Sequence, residues 1–143
     1  MLRLLLPVDG SQSALRATRA LIESISWYKE PPAIDVLTVH LPVPRFANMG
    51  LVVSNDMIER YYDEECADML APTKAALAAA GVNFTAHRRV GSIAESIVEQ
   101  AEHSASNMMY MGTRGRTALA NMVLGSVATK VLHLAHIPVV LVH

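Results

Sequence analysis

The sequence predicts a single-domain α/β fold with an open, five-stranded parallel sheet, and three observations predict it. Short apolar runs recur at residues 2–8, 34–39, 82–87, 108–111 and 139–142; stretches with apolar residues at helical spacing lie between them; turn formers separate the two kinds. Strands that alternate with helices call for right-handed crossovers and a parallel sheet covered on both faces. A length of 143 residues suits one domain, and 52% apolar content supplies one core.

The elements follow in order. Residues 2–8 are apolar on both faces, as a fully buried strand requires, and Ala14, Leu15, Thr18, Ile22 and Ile25 then repeat as one face of a helix. Pro31-Pro32 introduces the second strand at 34–39. Residues 41–51 are broken by Pro and Gly, a loop that could cover a ligand. From 56 to 80 a long helix is expected, with Ile58, Tyr61 or Tyr62, Cys66, Met69, Leu70, Thr73 and Leu77 inward. Gly81 suits its C-terminal end, and Pro72 should kink or interrupt it. A third strand is expected at 82–87. Ser92-Ile93-Ala94-Glu95 has the spacing of a capping box, opening a helix with Ile93, Ile97, Val98 and Ala101 inward. The fourth strand, 108–111, precedes the glycines discussed below, and Val127, Val131 and Leu134 mark the helix after them. Pro138 is acceptable at the entry to the last strand, 139–142.

Chemistry concentrates between the fourth strand and its helix. Gly112-Thr113-Arg114-Gly115 is followed nine residues later by Gly125-Ser126. A helix N-terminus offers unpaired N–H groups and partial positive charge, and glycines let an anion approach that backbone. On this reading Gly112 ends the strand without blocking the crevice, Gly115 takes a turn with positive φ, and Gly125 brings the chain near a phosphate. Ser126 supplies a hydroxyl to the phosphate or to the helix end. Arg114 and Arg116 can neutralise phosphate charge or simply keep a solvated turn soluble. Asp9, at the end of the first strand, can accept from ribose hydroxyls or hold a water of a phosphate-bound metal; alternatively it caps the following helix.

The Gly112-x2-Gly115-x9-Gly125-Ser126 pattern resembles the nucleotide-binding signature of the universal stress protein family. The likeness extends through Leu4 to Ser11, Leu37-Thr38-Val39-His40, Gly91-Ser92-Ile93 through Ile97, Gly125 through Leu132 and Ile137 through Val142, and so spans essentially the whole chain. It implies an adenine nucleotide alpha hydrolase-like fold with strand order 3-2-1-4-5. In such a sheet the ligand crevice lies at the carboxyl ends of the strands where the order reverses, which brings Asp9 beside Gly112. The resemblance further implies a stress-response regulator that binds ATP, or AMP, with Mg. The nucleotide would be held by Pro7, Val8, Asp9, Val39, Met111, Gly112, Arg114, Gly115, Arg116, Gly125, Ser126 and Val127, with Val39 offering only its backbone to the adenine edge. It also implies a homodimer through antiparallel pairing of strand 139–142, an apolar, uncharged edge. Asn107 stands where the family commonly has aspartate. Tyr110 replaces a small β-branched residue and is expected to crowd a helix.

The rest of the composition narrows the alternatives. Twelve Lys and Arg against thirteen Asp and Glu leave no basic footprint for nucleic acid. No run approaches the ~18 apolar residues of a membrane span, and the N-terminal run is too short for a secretory signal. Cys66, the single cysteine, can form no internal disulfide and suits a reducing compartment, so a cytoplasmic location is expected. His133 and His136 have no third metal ligand near them in sequence, and no metal site is assigned. Lys130 fits an exposed helix position. Without a Gly-x4-Gly-Lys-[Ser/Thr] loop or a general base beyond Asp9, any ATP hydrolysis should be slow. The alternatives to a nucleotide-binding regulator are thus a slow ATPase and a dimeric scaffold that needs no nucleotide.

Overall fold

The computed structural model describes residues 1–44, 54–115 and 124–143. Five strands, β1 (Arg3–Pro7), β2 (Ala33–His40), β3 (Thr85–Val90), β4 (Met108–Gly112) and β5 (Val139–Val142), form one parallel sheet in the order β3-β2-β1-β4-β5. Four α-helices connect them: α1 (Gln12–Ser24), α2 (Asn55–Ala79), α3 (Ile93–His103) and α4 (Ser126–Leu134). The fold class and strand order are those expected.

Strand alternation divides the core in two. Leu4, Leu6, Val8, Ile34, Val36 and Tyr110 face Ala14, Ala17 and Leu21 of α1 and Leu70 and Leu77 of α2. The intervening residues Leu5, Leu37, Val39, Met109 and Met111 face Ala94, Ile97 and Ala101 of α3 and Ala128 and Val131 of α4. A continuous apolar run therefore feeds both layers, as a strand covered on two faces requires. Leu4, Leu5 and Leu6 are completely buried, and each stabilises the fold by about 2 kcal/mol of transfer free energy.

Several local expectations need correction. β3 lies three residues beyond the expected 82–87, because Val82 belongs to the end of α2. Its N–H donates to the Leu77 carbonyl while that of Gly81, at φ +69°, donates to Ala78, a left-handed cap that uses up Val82. The true strand carries His87, Arg88 and Arg89, polar residues that an apolar pattern does not include. They are half-buried and paired with Asp35, with Glu59 and Asp63, and with Glu99 respectively. An edge strand blunted by charge resists pairing with other chains.

Pro72 does not interrupt α2, which runs unbroken from Asn55 to Ala79. The next residue, Thr73, is buried, and its hydroxyl lies 2.9 Å from that of Thr18 on α1, tying the helices together beside the proline. Tyr110 does not crowd its helix either. Its hydroxyl donates to Ser24 Oγ of α1 at 3.0 Å and lies 3.0 Å from the Tyr28 hydroxyl, so the large side chain is buried with its polar end satisfied. Asn107 fills the place of the aspartate by accepting the Arg3 N–H at 2.8 Å. The capping box is not formed: Ser92 precedes α3 but makes no side-chain cap, and Glu95 turns to Lys130 of α4 instead. That ammonium holds the Glu95 carboxyl below its ordinary range.

Candidate functional site

β1 and β4 are neighbours, and each ends at the same edge of the sheet in a turn that leads into a helix. The first turn is closed by its own side chains. Asp9 Oδ1 accepts the Ser11 N–H at 2.9 Å, and Ser11 Oγ accepts the Ala14 N–H at 3.1 Å, so α1 starts with a side-chain cap. Asp9 therefore does not cap α1, a place that Ser11 takes; it braces the turn before the helix and is only half-buried. Its other carboxylate oxygen faces the second turn: a Cβ placed on Gly115 would lie 3.5 Å from Oδ2.

The second turn is built differently. Gly125 stands at the N-cap of α4 and has no side chain with which to close it. Three amides near it are used internally: Thr113 N–H donates to the Val142 carbonyl, Arg114 N–H to Ser13 Oγ at 3.1 Å, and Gly125 N–H to the Thr113 carbonyl. Among the described residues, the N–H groups of Gly115, Ser126 and Val127 have no acceptor. The set of open backbone donors among the described residues is therefore smaller than the glycine pattern suggests; it lies at the last glycine of the turn and the first residues of α4.

Gly112 ends β4 at the cavity as expected and has a further role, while Gly115 departs from its expectation. Gly112 is required by packing: a Cβ there would come within 2.7 Å of the Ser13 carbonyl group on α1. Gly115 is not among the residues with positive φ, so its freedom is steric, leaving the space before Asp9 clear. Gly125 lets the chain pack closely on itself, since a Cβ would lie 3.2 Å from the Thr113 carbonyl oxygen. Ser126 is the first residue of α4 rather than its cap, and its hydroxyl makes no hydrogen bond among the described residues.

Between the two turns lies a cavity of about 580 Å³, within the range of small-molecule and cofactor sites. Its walls include Pro7, Val8, Asp9, Val39, Met111, Gly112, Arg114, Gly115, Gly125, Ser126 and Val127, eleven of the twelve residues picked from the sequence. The twelfth, Arg116, lies outside the described residues, as does most of the 41–51 loop. Lys130 turns away to Glu95.

The sequence reading missed the wall opposite the glycines. His40, Leu41 and Met69, with Ile93 and Ile97 of α3, give the cavity an apolar end over β2. Helical spacing places Ile93, Ile97 and Met69 inward, and it cannot separate a core face from a pocket wall. Topology held the missing signal, because the carboxyl end of β2 adjoins that of β1. Asp35 was also missed. It is buried between the Arg3 guanidinium at 2.9 Å and His87 Nε2 at 2.7 Å, but it sits toward the opposite edge of the sheet and has no part in the cavity. Cys66 is buried on α2, and burial pushes its thiol pKa up, which suits packing rather than reactivity.

Comparison with known proteins gives a consistent result. The model of the universal stress protein family matches residues 1–143. Universal stress protein MJ0531 of Methanocaldococcus jannaschii is 31% identical over 140 residues, 98% of this chain and 81% of that protein. Among solved structures, universal stress protein UspA from Lactobacillus plantarum superposes with a TM-score of 0.80 at 16% identity, covering 99% of this chain and 97% of the other. A universal stress protein in complex with cAMP gives 0.70 at 22% identity, with 99% and 97% covered. One from Archaeoglobus fulgidus in complex with dAMP gives 0.65 at 21% identity, with 100% and 98% covered.

Proposed function

Because the chain belongs to the universal stress protein family, we propose that it is a stress-response regulator that holds an adenine nucleotide, ATP or AMP, in the cavity between β1, β4 and α4. The observation that carries this reading is the set of amides at Gly115 and at Ser126 and Val127 of the first turn of α4, which have no acceptor among the described residues and belong to residues lining a cavity of nucleotide size. Two structurally similar proteins that hold cAMP and dAMP support the ligand class.

The placement of parts suits a nucleotide. Phosphates meet the α4 amides, with Arg114 exposed beside them; Asp9 accepts from the ribose; the base lies against the apolar end, where the backbone of Val39 is within reach. Mg fits as a companion of the phosphates rather than as a resident ion. Among the described residues no three His, Cys, Asp or Glu side chains converge, and Asp9 supplies one carboxylate, as is usual for an ion that keeps phosphate and water ligands. Mg would contribute charge neutralisation there.

Titration of the purified protein with Mg-ATP, together with mass spectrometry of whatever denaturation releases, tests the reading. Saturable binding or a copurified adenine nucleotide is expected; no binding at millimolar ATP would refute it. The same family reading carries a homodimer through β5, whose four residues are all partly exposed at the sheet edge. Val140→Lys should then reduce the solution mass from two chains to one, as sedimentation would measure. No described helix is long and apolar enough to cross a membrane, and a cytoplasmic location completes the proposal.

A further inference from the structure

We propose that His40 determines base specificity, its imidazole Nε2 accepting a hydrogen bond from the exocyclic 6-amino group of adenine. This inference rests on the nucleotide reading above and adds to it the residue that separates adenine from 6-oxopurines. His40 is the last residue of β2 and lines the cavity. Neighbouring strands lie about 4.8 Å apart, so β2 is roughly 10 Å from β4 across β1. With phosphates at the start of α4 and ribose over Asp9 on β1, the base comes to lie over the end of β2.

The ring is fixed in both position and tautomer. It packs edgewise against Tyr61 and Tyr62 of α2, with centroids 5.6 and 5.3 Å away and planes inclined by 75° and 64°. Tyr62 is itself held, because its hydroxyl accepts the Val43 N–H at 2.8 Å. His40 Nδ1 lies 2.6 Å from the Leu41 carbonyl oxygen. A carbonyl can only accept, so Nδ1 carries the hydrogen, and in the neutral ring Nε2 is left as an acceptor. Among the described residues nothing donates to Nε2. An acceptor held at the base end favours a purine with an amino group at position 6 and opposes one with a carbonyl there, where two lone pairs would meet. The sequence gives no hint of this role, since a strand-terminal histidine has many uses.

Affinity for ATP and ITP, which carries oxygen at position 6, tests the inference in the intact protein and in two variants. The native chain should prefer ATP by about tenfold, the equivalent of one good hydrogen bond. His40→Phe keeps the ring packing against both tyrosines but removes the acceptor, and should cut the preference several-fold, to what the Val39 backbone alone gives, with an unchanged melting temperature. His40→Gln, which has an acceptor on a flexible arm, should restore part of the preference. A native protein that binds both nucleotides equally, or a His40→Phe variant that keeps the full preference, would overturn this inference and leave nucleotide binding standing. A native protein that binds neither would overturn both. Should His40→Phe melt early, His40→Gln decides alone: a ratio of one with native stability contradicts the acceptor role.

Discussion

The two turns at the carboxyl edge of β1 and β4 are neighbours with the same strand-to-helix plan, yet one is sealed and the other open. At the start of α1, Ser11 Oγ and Asp9 Oδ1 take up backbone donors, so the dipole of that helix is spent on its own chain. At the start of α4, a glycine stands at the cap and Ser126 one residue later, too far along to reach back. Serine at one N-cap and glycine at the other leave the first terminus with a side-chain cap and the second without one. The sealed turn also supports the open one: Ser13 Oγ of α1 accepts the Arg114 N–H and fixes the loop that leads to Gly115.

That contrast can be broken or sharpened by mutation. The largest effect is expected where the turns touch. Gly112→Ala drives a methyl into Ser13 and should cost about 3 kcal/mol of stability, read as a lowered denaturation midpoint, because it meets the Ser13 backbone as well as its hydroxyl and the backbone cannot swing aside. Gly115→Val places a side chain between Asp9 and the free amides without a tight clash. It should lower Mg-ATP affinity by at least tenfold, or about 1.4 kcal/mol, in a titration, with stability within about 0.5 kcal/mol of the native protein.

The two serines give the finer test. Ser11→Ala removes a formed cap and should cost about 1 kcal/mol of stability while ATP affinity stays within about twofold. Ser126→Ala removes a hydroxyl without a partner among the described residues, so stability should change by less than about 0.5 kcal/mol. Its effect should instead fall on ATP affinity, by a few-fold. Reversal of this pair, with Ser126→Ala destabilising and Ser11→Ala neutral, would show that the cap assignments are exchanged.

Much of the molecule could be read from residues. Uninterrupted apolar runs marked β1 and β5, Gly81 marked the end of α2, and the glycine spacing marked the edge of the sheet where the cavity lies. What escaped had physical reasons. β3 is expected three residues too early because its second half carries charges neutralised by neighbours distant in sequence, such as Glu59 for Arg88, and no local apolar pattern marks where it ends. Pro72 is tolerated because α2 is anchored on both sides of it by packing against α1 and the sheet, through Met69, Leu70, Thr73 and Leu77. The role of Gly112 depends on Ser13, about a hundred residues earlier, and only the fold brings them together. The apolar cavity wall escaped because Met69, Ile93 and Ile97 have the same spacing whether they face a core or a ligand.

Backbone amide NMR during a Mg-ATP titration tests the central claim most directly. The account predicts that Gly115, Ser126 and Val127 show the largest amide shifts on saturation, while Ala14, capped by Ser11, moves little. Saturable binding that leaves those three amides unmoved, or that shifts Ala14 more than any of them, would contradict it.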